Sequence, residues 1–248
     1  PGEATEIFHE GLRLPPIKIV KRGVMNDDVW KIILANVRTP RYNYGDLRAL
    51  ISAVDLGVAQ MTRLYDKYGA DVVDQTSKDL MDYSERRMRA EIEKIPDGIY
   101  AFEDLVEDDG IEDQQYKIAV EVHKTGSSII ADYTGSSSQA KGPINATLGV
   151  TMSATYNAML HMTDPDIPKN SGCFRPIRVI APPTTVVNVD FPAPEVGGNT
   201  ETHPRIAGTV IGALAGVIPH LAMAAEGCTH GNFVFGGVHA ASKEFFAC

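Results

Sequence analysis

The chain has 248 residues, 44% hydrophobic and 22% charged, with a formal net charge of −9. That length supports a sizeable core, and that composition excludes an intrinsically disordered chain. Net acidity without a Lys/Arg run excludes a phosphate-binding nucleic-acid surface; the densest basic spot, Arg86, Arg87 and Arg89, lies in a helix-like stretch that is also rich in acids.

The periodicity predicts a first helix over Met25 to Arg38, with Asn26 as N-cap and Val29, Ile32, Ile33 and Val37 at helical spacing. Thr39-Pro40 is expected to end it, because the residue before proline avoids the helical region. A second helix is expected from about Gly45 to Tyr68, with Leu47, Leu50, Ile51, Val54, Val58, Met61, Leu64 and Tyr65 on one face and Gly69 as its stop. A third runs from Ala70 to Lys94 with Val73, Leu80, Met81, Met88 and Ile92 inward. Both long helices read as core elements.

Beyond the Pro96-Asp97-Gly98 turn the period changes to two. Tyr116, Ile118, Val120 and Val122 alternate with polar residues, and after Thr125-Gly126 so do Ile129, Ala131 and Tyr133, which is a hairpin pattern. The acidic stretch Glu103 to Asp113 lacks calcium-loop spacing and reads as a solvated loop. A Gly/Ser loop follows over Gly135 to Asn145, then a helix over Thr147 to Met162, and short strands over Arg175 to Ile180 and Val186 to Val189. Ile206 to Ala225 carries no formal charge, but Thr209, Pro219 and His220 interrupt it. It reads as a buried small-residue helix rather than a membrane span. The whole is α+β, with mixed helices and antiparallel hairpins, read as one structural unit over 1–248: a helical part about 24–95 and a mixed strand and helix part about 96–248.

Three widely spaced cysteines, Cys173, Cys228 and Cys248, suit a reducing, cytoplasmic compartment better than a disulfide framework. No signal-peptide pattern opens the chain. It opens on Pro1 and closes on Phe245-Phe246-Ala247-Cys248, like an interrupted strand, and so reads as part of a longer polypeptide.

Standard catalytic motifs are absent. There is no Gly-x-Ser-x-Gly elbow, and His9-Glu10 is followed by Arg13 where a helical zinc motif needs histidine. The loop from Gly135 to Gly142 ends Ala140-Lys141-Gly142, not the Gly-Lys-Ser/Thr of a phosphate loop, so Ser137 and Asn145 read as substrate-loop residues or as a plain hairpin end. Cys228-Thr229-His230 offers two metal ligands at most. His203, His220, His230 and His239 are too dispersed for a local metal signature, so no metal site is assigned within the chain.

The richest stretch is Gly197-Gly198-Asn199-Thr200-Glu201-Thr202-His203-Pro204-Arg205. Its glycines permit close backbone approach, Glu201 and His203 are general acid/base types, and Arg205 offers a fork for an anion. The same residues also serve a capped turn, with Thr202 capping and Pro204 in the first helical turn. Both readings stand. The catalytic candidates are therefore Glu201 and His203, and the substrate-binding candidates are Ser137, Asn145, Asn199 and Arg205.

Several segments together resemble the hydantoinase B/oxoprolinase family. They are Glu10-Gly11-Leu12-Arg13-Leu14-Pro15-Pro16, Asn43-Tyr44-Gly45-Asp46-Leu47-Arg48-Ala49, Ile95-Pro96-Asp97-Gly98, Asp132-Tyr133-Thr134-Gly135-Ser136-Ser137, Gly142-Pro143-Ile144-Asn145, Asp164-Pro165-Asp166-Ile167-Pro168, Arg175-Pro176-Ile177, Gly198-Asn199-Thr200-Glu201-Thr202 and Phe235-Gly236-Gly237. Their order and spacing across nearly the whole chain carry the resemblance. It implies a subunit of an ATP-dependent cyclic-amide hydrolase, as in N-methylhydantoinases and 5-oxoprolinases. The alternatives are a subunit of an acetone or acetophenone carboxylase, or a non-catalytic assembly subunit. It further implies a hetero-oligomer in which a hydantoinase A-like partner binds ATP with Mg. A divalent metal such as Zn or Mn would be held by a His/Asp-rich segment upstream of Glu10, in the full-length subunit. On this resemblance the chain is an interior portion of a larger hydantoinase B-like subunit. It departs from the family pattern at His203-Pro204, where many relatives have Ser-Gln before the arginine.

Overall fold

A computed structural model describes residues 2–224, 227–229, 236–239, 241 and 245–247, the last three as backbone. It divides into two compact units, Gly11–Gln75 with Asn232–Cys248, and Pro1–Glu10 with Thr76–Gly231.

In the first unit, β1 (Val20–Lys21) and β2 (Val24–Met25) pair antiparallel around Arg22-Gly23, both at positive φ as a two-residue hairpin turn demands. Helix α1 (Asp27–Ala35) carries Asp27 and Asp28 in its first turn, where the helix dipole favours them, and buries Trp30 and Ile33. Asn26 is its N-cap residue by position, but its side chain makes no cap bond. Helix α2 (Pro40–Tyr68) begins earlier than its periodicity indicated. Pro40 starts this helix as well as closing off the previous one, because in a first turn the missing N–H has no partner to lose. Gly69, at φ 84°, ends it. The expectation that α2 is a core element is corrected here: none of its residues is buried among the described residues. Leu50, Val54 and Val58 are 64%, 65% and 62% exposed. Periodicity reports that one face is apolar; it does not report what covers that face.

Helix α3 (Ala70–Glu93) enters the second unit at Thr76 and buries Ser84, Met88 and Ile92. Of the residues expected inward, Leu80 is exposed and Val73 and Met81 are half-buried. The predicted basic spot is spent in ion pairs, Arg87 with Asp164 and Arg89 with Glu85.

The sheet of this unit runs β3 (Gly98–Val106), β4 (Tyr116–Thr125), β5 (Ser128–Asp132) and, beyond helices α4 (Leu148–His161) and α5 (Ser171–Phe174), β6 (Ile177–Ile180). The first three strands are antiparallel, and β6 joins β5 in parallel after the crossover through α4. The predicted alternation holds: Tyr116, Ile118, Val120, Val122, Ile129, Ala131 and Tyr133 are all buried. Strand β3 falls partly within the acidic stretch expected to be a loop. As a sheet edge, it buries only Val106 among its nine residues, so it shows little apolar alternation. Val186 and Val187 are buried, but they lie in irregular backbone with isolated bridges rather than in the expected strand.

Helix α6 (His203–Ala215) follows a single π-helical turn over Gly198–Thr202. Ile206, Val210 and Leu214 pack with the buried sheet residues and with Ala154, Ala158 and Met159 of α4. Each of these aliphatics contributes roughly 1.5–3 kcal/mol of transfer free energy before its ordering cost. Gly212 admits the Phe102 ring, which would lie 2.8 Å from a Cβ placed there. The helix is buried as expected but stops ten residues short of Ala225. Two short strands, β7 (Gly236–Val238) and β8 (Phe245–Ala247), pair antiparallel in the first unit. Among the described residues no helix is long and apolar enough to cross a membrane.

Candidate functional site

Three irregular segments of the second unit knit together below α6. Beyond the end of β5 the Gly/Ser loop continues along β4. The Ser137 hydroxyl accepts the Lys117 N–H at 2.8 Å, and the Ser136 hydroxyl accepts the Ala119 N–H at 3.1 Å. The 182–189 segment bridges this loop to the next, because Val186 N–H donates to Ser137 O and Val186 O accepts from Ala146 N–H. The glycine-rich turn then closes on the same loop: Gly197 N–H donates to Pro143 O, and Thr202 Oγ1 donates to Ile144 O. A Cβ on Gly198 would stand 2.2 Å from the Asn145 carbonyl oxygen, so only glycine fits this approach.

The loop is held from within by two buried polar residues. Asn145 is fully buried; its Oδ1 accepts from Ala140 N–H at 2.7 Å and its Nδ2 lies 2.9–3.1 Å from the carbonyls of Ala140, Gly142 and Pro194. No donor or acceptor of that side chain is left for a ligand. Asp109, 2% exposed, accepts from the backbone N–H groups of Ile111, Glu112 and Gly142 and from the Tyr116 hydroxyl. Burial alone would raise its pKa, but these hydrogen bonds more than offset that and hold it below the usual carboxylate range. The acidic stretch therefore hides a buried anchor as well as a strand.

The catalytic candidates sit at the head of α6. Asn199 is exposed and Glu201 half-buried in the π-helical turn. Neither side chain makes a hydrogen bond or ion pair with any described residue. Single π-helical turns inside helices recur at functional sites, because the extra residue re-aims the side chains around it. Thr202 does not cap; its hydroxyl serves the Ile144 carbonyl, while Pro204 occupies the first turn as expected. His203 and Arg205 are two residues apart, and so point about 200° apart around the helix. The fold does not bring them together. Arg205 turns to β3, where Nη1 is 3.0 Å from Asp104 and Nη2 is 3.8 Å from Glu107. Its Nε–H is buried without a partner among the described residues. Burial would lower the Arg205 pKa, yet the Asp104 carboxylate raises it overall, so the guanidinium is a fixed cation already engaged by acids.

Two depressions flank α6 and share Asn157 of α4. The first, of 550 Å³, is lined by Ser153, Tyr156, Phe174 and His203 among others. The second, of 430 Å³, runs between Phe102, Asp104, His161 and the small-residue face Ala207, Gly208 and Gly212. Asp104 and Asn157 were missed in the sequence: Asp104 lay in the presumed loop, and Asn157 lay mid-helix without a motif. His161, read there as half-buried, is exposed at the mouth of the second depression. Among the described residues no three His, Cys, Asp or Glu side chains gather, so there is no donor set to which a metal-dependent step can be assigned. His230, weighed as a ligand beside Cys228, lies outside the described residues.

Three known proteins resemble this arrangement. The B-type component of a D-/L-hydantoinase from Pseudomonas sp. strain NS671 is 35% identical over 91% of this chain and 40% of its own length. The crystal structure of ATP-dependent caprolactamase from Pseudomonas jessenii superimposes with a TM-score of 0.82 at 31% identity, covering 88% of this chain and 38% of that one. A nucleotide-free acetone carboxylase shares the fold at TM-score 0.89 and 15% identity, covering 99% of this chain and 34% of that one. The chain thus spans about two fifths of the length of the hydantoinase component. The family model described as Hydantoinase B/oxoprolinase matches residues 1–248 without a break, and the chain belongs to that family.

Proposed function

We propose that this chain is part of the B-type component of an ATP-dependent cyclic-amide hydrolase, cytoplasmic and working in a hetero-oligomer with a hydantoinase A-like subunit that binds ATP and Mg. The observation that carries the reading is the pair of relatives above 30% identity, both named for opening amide rings. The likeness to the carboxylase, at 15% identity, concerns the fold alone and supports a ketone carboxylase only as a second reading. Cys173 and Cys228, free and buried, suit a reducing compartment.

An amide is resonance-stabilised, and phosphoryl transfer to its oxygen in the partner subunit would supply the activation that hydrolysis needs. Within this chain we assign the proton transfers to the head of α6. Glu201, whose carboxylate no described residue engages, would take the proton from the attacking water, and His203 would donate to the leaving nitrogen from the adjoining depression. Asn199 would hydrogen-bond the substrate. Arg205, Asn145 and Ser137 would position the turn, each through its own backbone or carboxylate contacts. The test uses the full-length complex with hydantoin, 5-oxoproline or caprolactam and ATP. Ring opening coupled to ADP release supports the hydrolase; nucleotide turnover that requires bicarbonate and a ketone replaces it with the carboxylase. Glu201→Gln should lower kcat roughly 10²–10⁴-fold without moving the melting temperature. Near-normal turnover would remove Glu201 from the site.

A further inference from the structure

The exposed face of α2 is long and regular, and the proposed chemistry does not use it. Leu47, Leu50, Val54, Gly57, Met61, Leu64 and Tyr68 recur at alternating spacings of three and four, which is the 3.5-residue period of a coiled-coil seam. Leu50, Val54, Met61, Leu64 and Tyr68 are 64%, 65%, 43%, 42% and 50% exposed. Leu47 is half-buried, on the side of the helix that carries Tyr44 against Trp30 of α1. A seam of this length, roughly 32 Å at 1.5 Å per residue, is more apolar surface than a helix normally leaves in water.

We propose that this face joins two copies of the protein through an antiparallel pairing of α2 with α2. The argument for a second copy lies in the seam itself. Laid antiparallel with Val54 opposite Gly57 of the other copy, its layers become Leu47 with Leu64, Leu50 with Met61 and Val54 with Gly57, each occurring twice. Gly57 lets the two backbones close at the centre. On one flank the same register sets Asp46 opposite Lys67 at both ends, two ion pairs of opposite sign. Ala53 and Gln60 meet uncharged between them. On the other flank Val58 faces Val58, and Ile51 faces Tyr65. Neither Asp46 nor Lys67 has an ion-pair partner among the described residues; Lys67 lies over the Tyr68 ring, 4.7 Å from its centroid. A helix cut for an unrelated partner has no reason to complement its own reverse in both apolar layers and charge. Flanking charges of this kind set register and partner choice in helix pairs.

The test is sedimentation velocity on the full-length protein over a range of concentrations, with no substrate required, so its outcome is separate from that of the functional reading. The native protein should dimerise. Asp46→Lys and Lys67→Asp should each weaken the dimer by roughly tenfold, since two pairs become two repulsions. The double variant D46K/K67D should return to the native dissociation constant. Val54→Asp, at an exposed position that the fold tolerates, should abolish the dimer while the circular dichroism and melting temperature stay native. A monomer at every concentration overturns the proposal, as does a dimer indifferent to Val54→Asp. Failure of the double reversal to rescue would show that the face is covered by another segment or subunit instead.

Discussion

Replacing Asp109 by Asn tests how the candidate site is held. Asp109 Oδ1 accepts from Ile111 and Glu112 N–H at 2.9 and 2.6 Å, and Oδ2 from Gly142 N–H and Tyr116 OH, both at 2.7 Å. An amide keeps only one acceptor oxygen. Its better orientation turns the NH₂ toward the Oδ2 side, where the tyrosine hydroxyl can rotate and accept, but the Gly142 N–H cannot. One buried donor is then left unmet, at about 1–3 kcal/mol, and the surviving bonds lose their ionic strengthening. The total is about 3 kcal/mol, which at 2–4 °C per kcal/mol for a unit of this size lowers the melting temperature by about 6–12 °C. Because the folded-state pKa is depressed, this stabilisation is fully present above the ordinary carboxylate value near ~4 and is lost as pH falls through the lower folded-state value. The gap between native and Asp109→Asn melting curves of the full-length protein should therefore be widest at neutral pH and shrink in acid. Equal midpoints at neutral pH, or a gap that does not change with pH, would refute the reasoning.

Two further outcomes are expected. Gly198→Ala sets a Cβ 2.2 Å from the Asn145 oxygen and should cost about 1–3 kcal/mol of overpacking while shifting the π-helical turn, so that melting temperature and turnover fall together; a variant unchanged in both would show that the approach is loose. Burial raises the Tyr116 pKa to about 12 and that of Tyr133, whose hydroxyl meets Thr155 at 2.8 Å, higher still, so their stabilisation is present below the ordinary value near ~10 and is lost as pH rises above it. Ultraviolet difference spectra should show both ionising only on alkaline unfolding, and a normal titration of either in the folded protein would contradict its burial.

What was legible in the sequence follows from what each pattern measures. The β4–β5 hairpin and the α4 boundaries were readable because one face of the hairpin is buried and Thr147 caps its helix through the Val150 N–H. Strand β3 was not, since an edge strand carrying Glu103 and Asp104 shows no alternation for a pattern to find. Helix α2 was found but misplaced in the core, because amphipathicity is a property of the helix and burial is a property of its neighbours. Val186 and Val187 were rightly expected to be buried but wrongly given a strand, as apolar character alone does not set backbone geometry. The parallel pairing of β6 depends on the crossover through α4, which no local pattern encodes.

The site was legible in a different sense. Irregular backbone that is buried must find partners for every N–H and C=O group, and in a loop-rich region side chains supply many of them. Ser137, Asn145, Asp109 and Thr202 are spent that way, each on a named backbone group. Arg205 is spent on Asp104 and Glu107. A polar residue in such a motif is therefore explained first by the backbone it satisfies, and only the remainder is available to a substrate. Here the remainder is Asn199 and Glu201 on a turn held in place by all the others, together with the groups lining the two depressions beside it. Sequence alone cannot divide a motif in this way, because an Asn that props up a loop and an Asn that binds a ligand are the same letter. The division appears only when each hydrogen bond is traced to its partner.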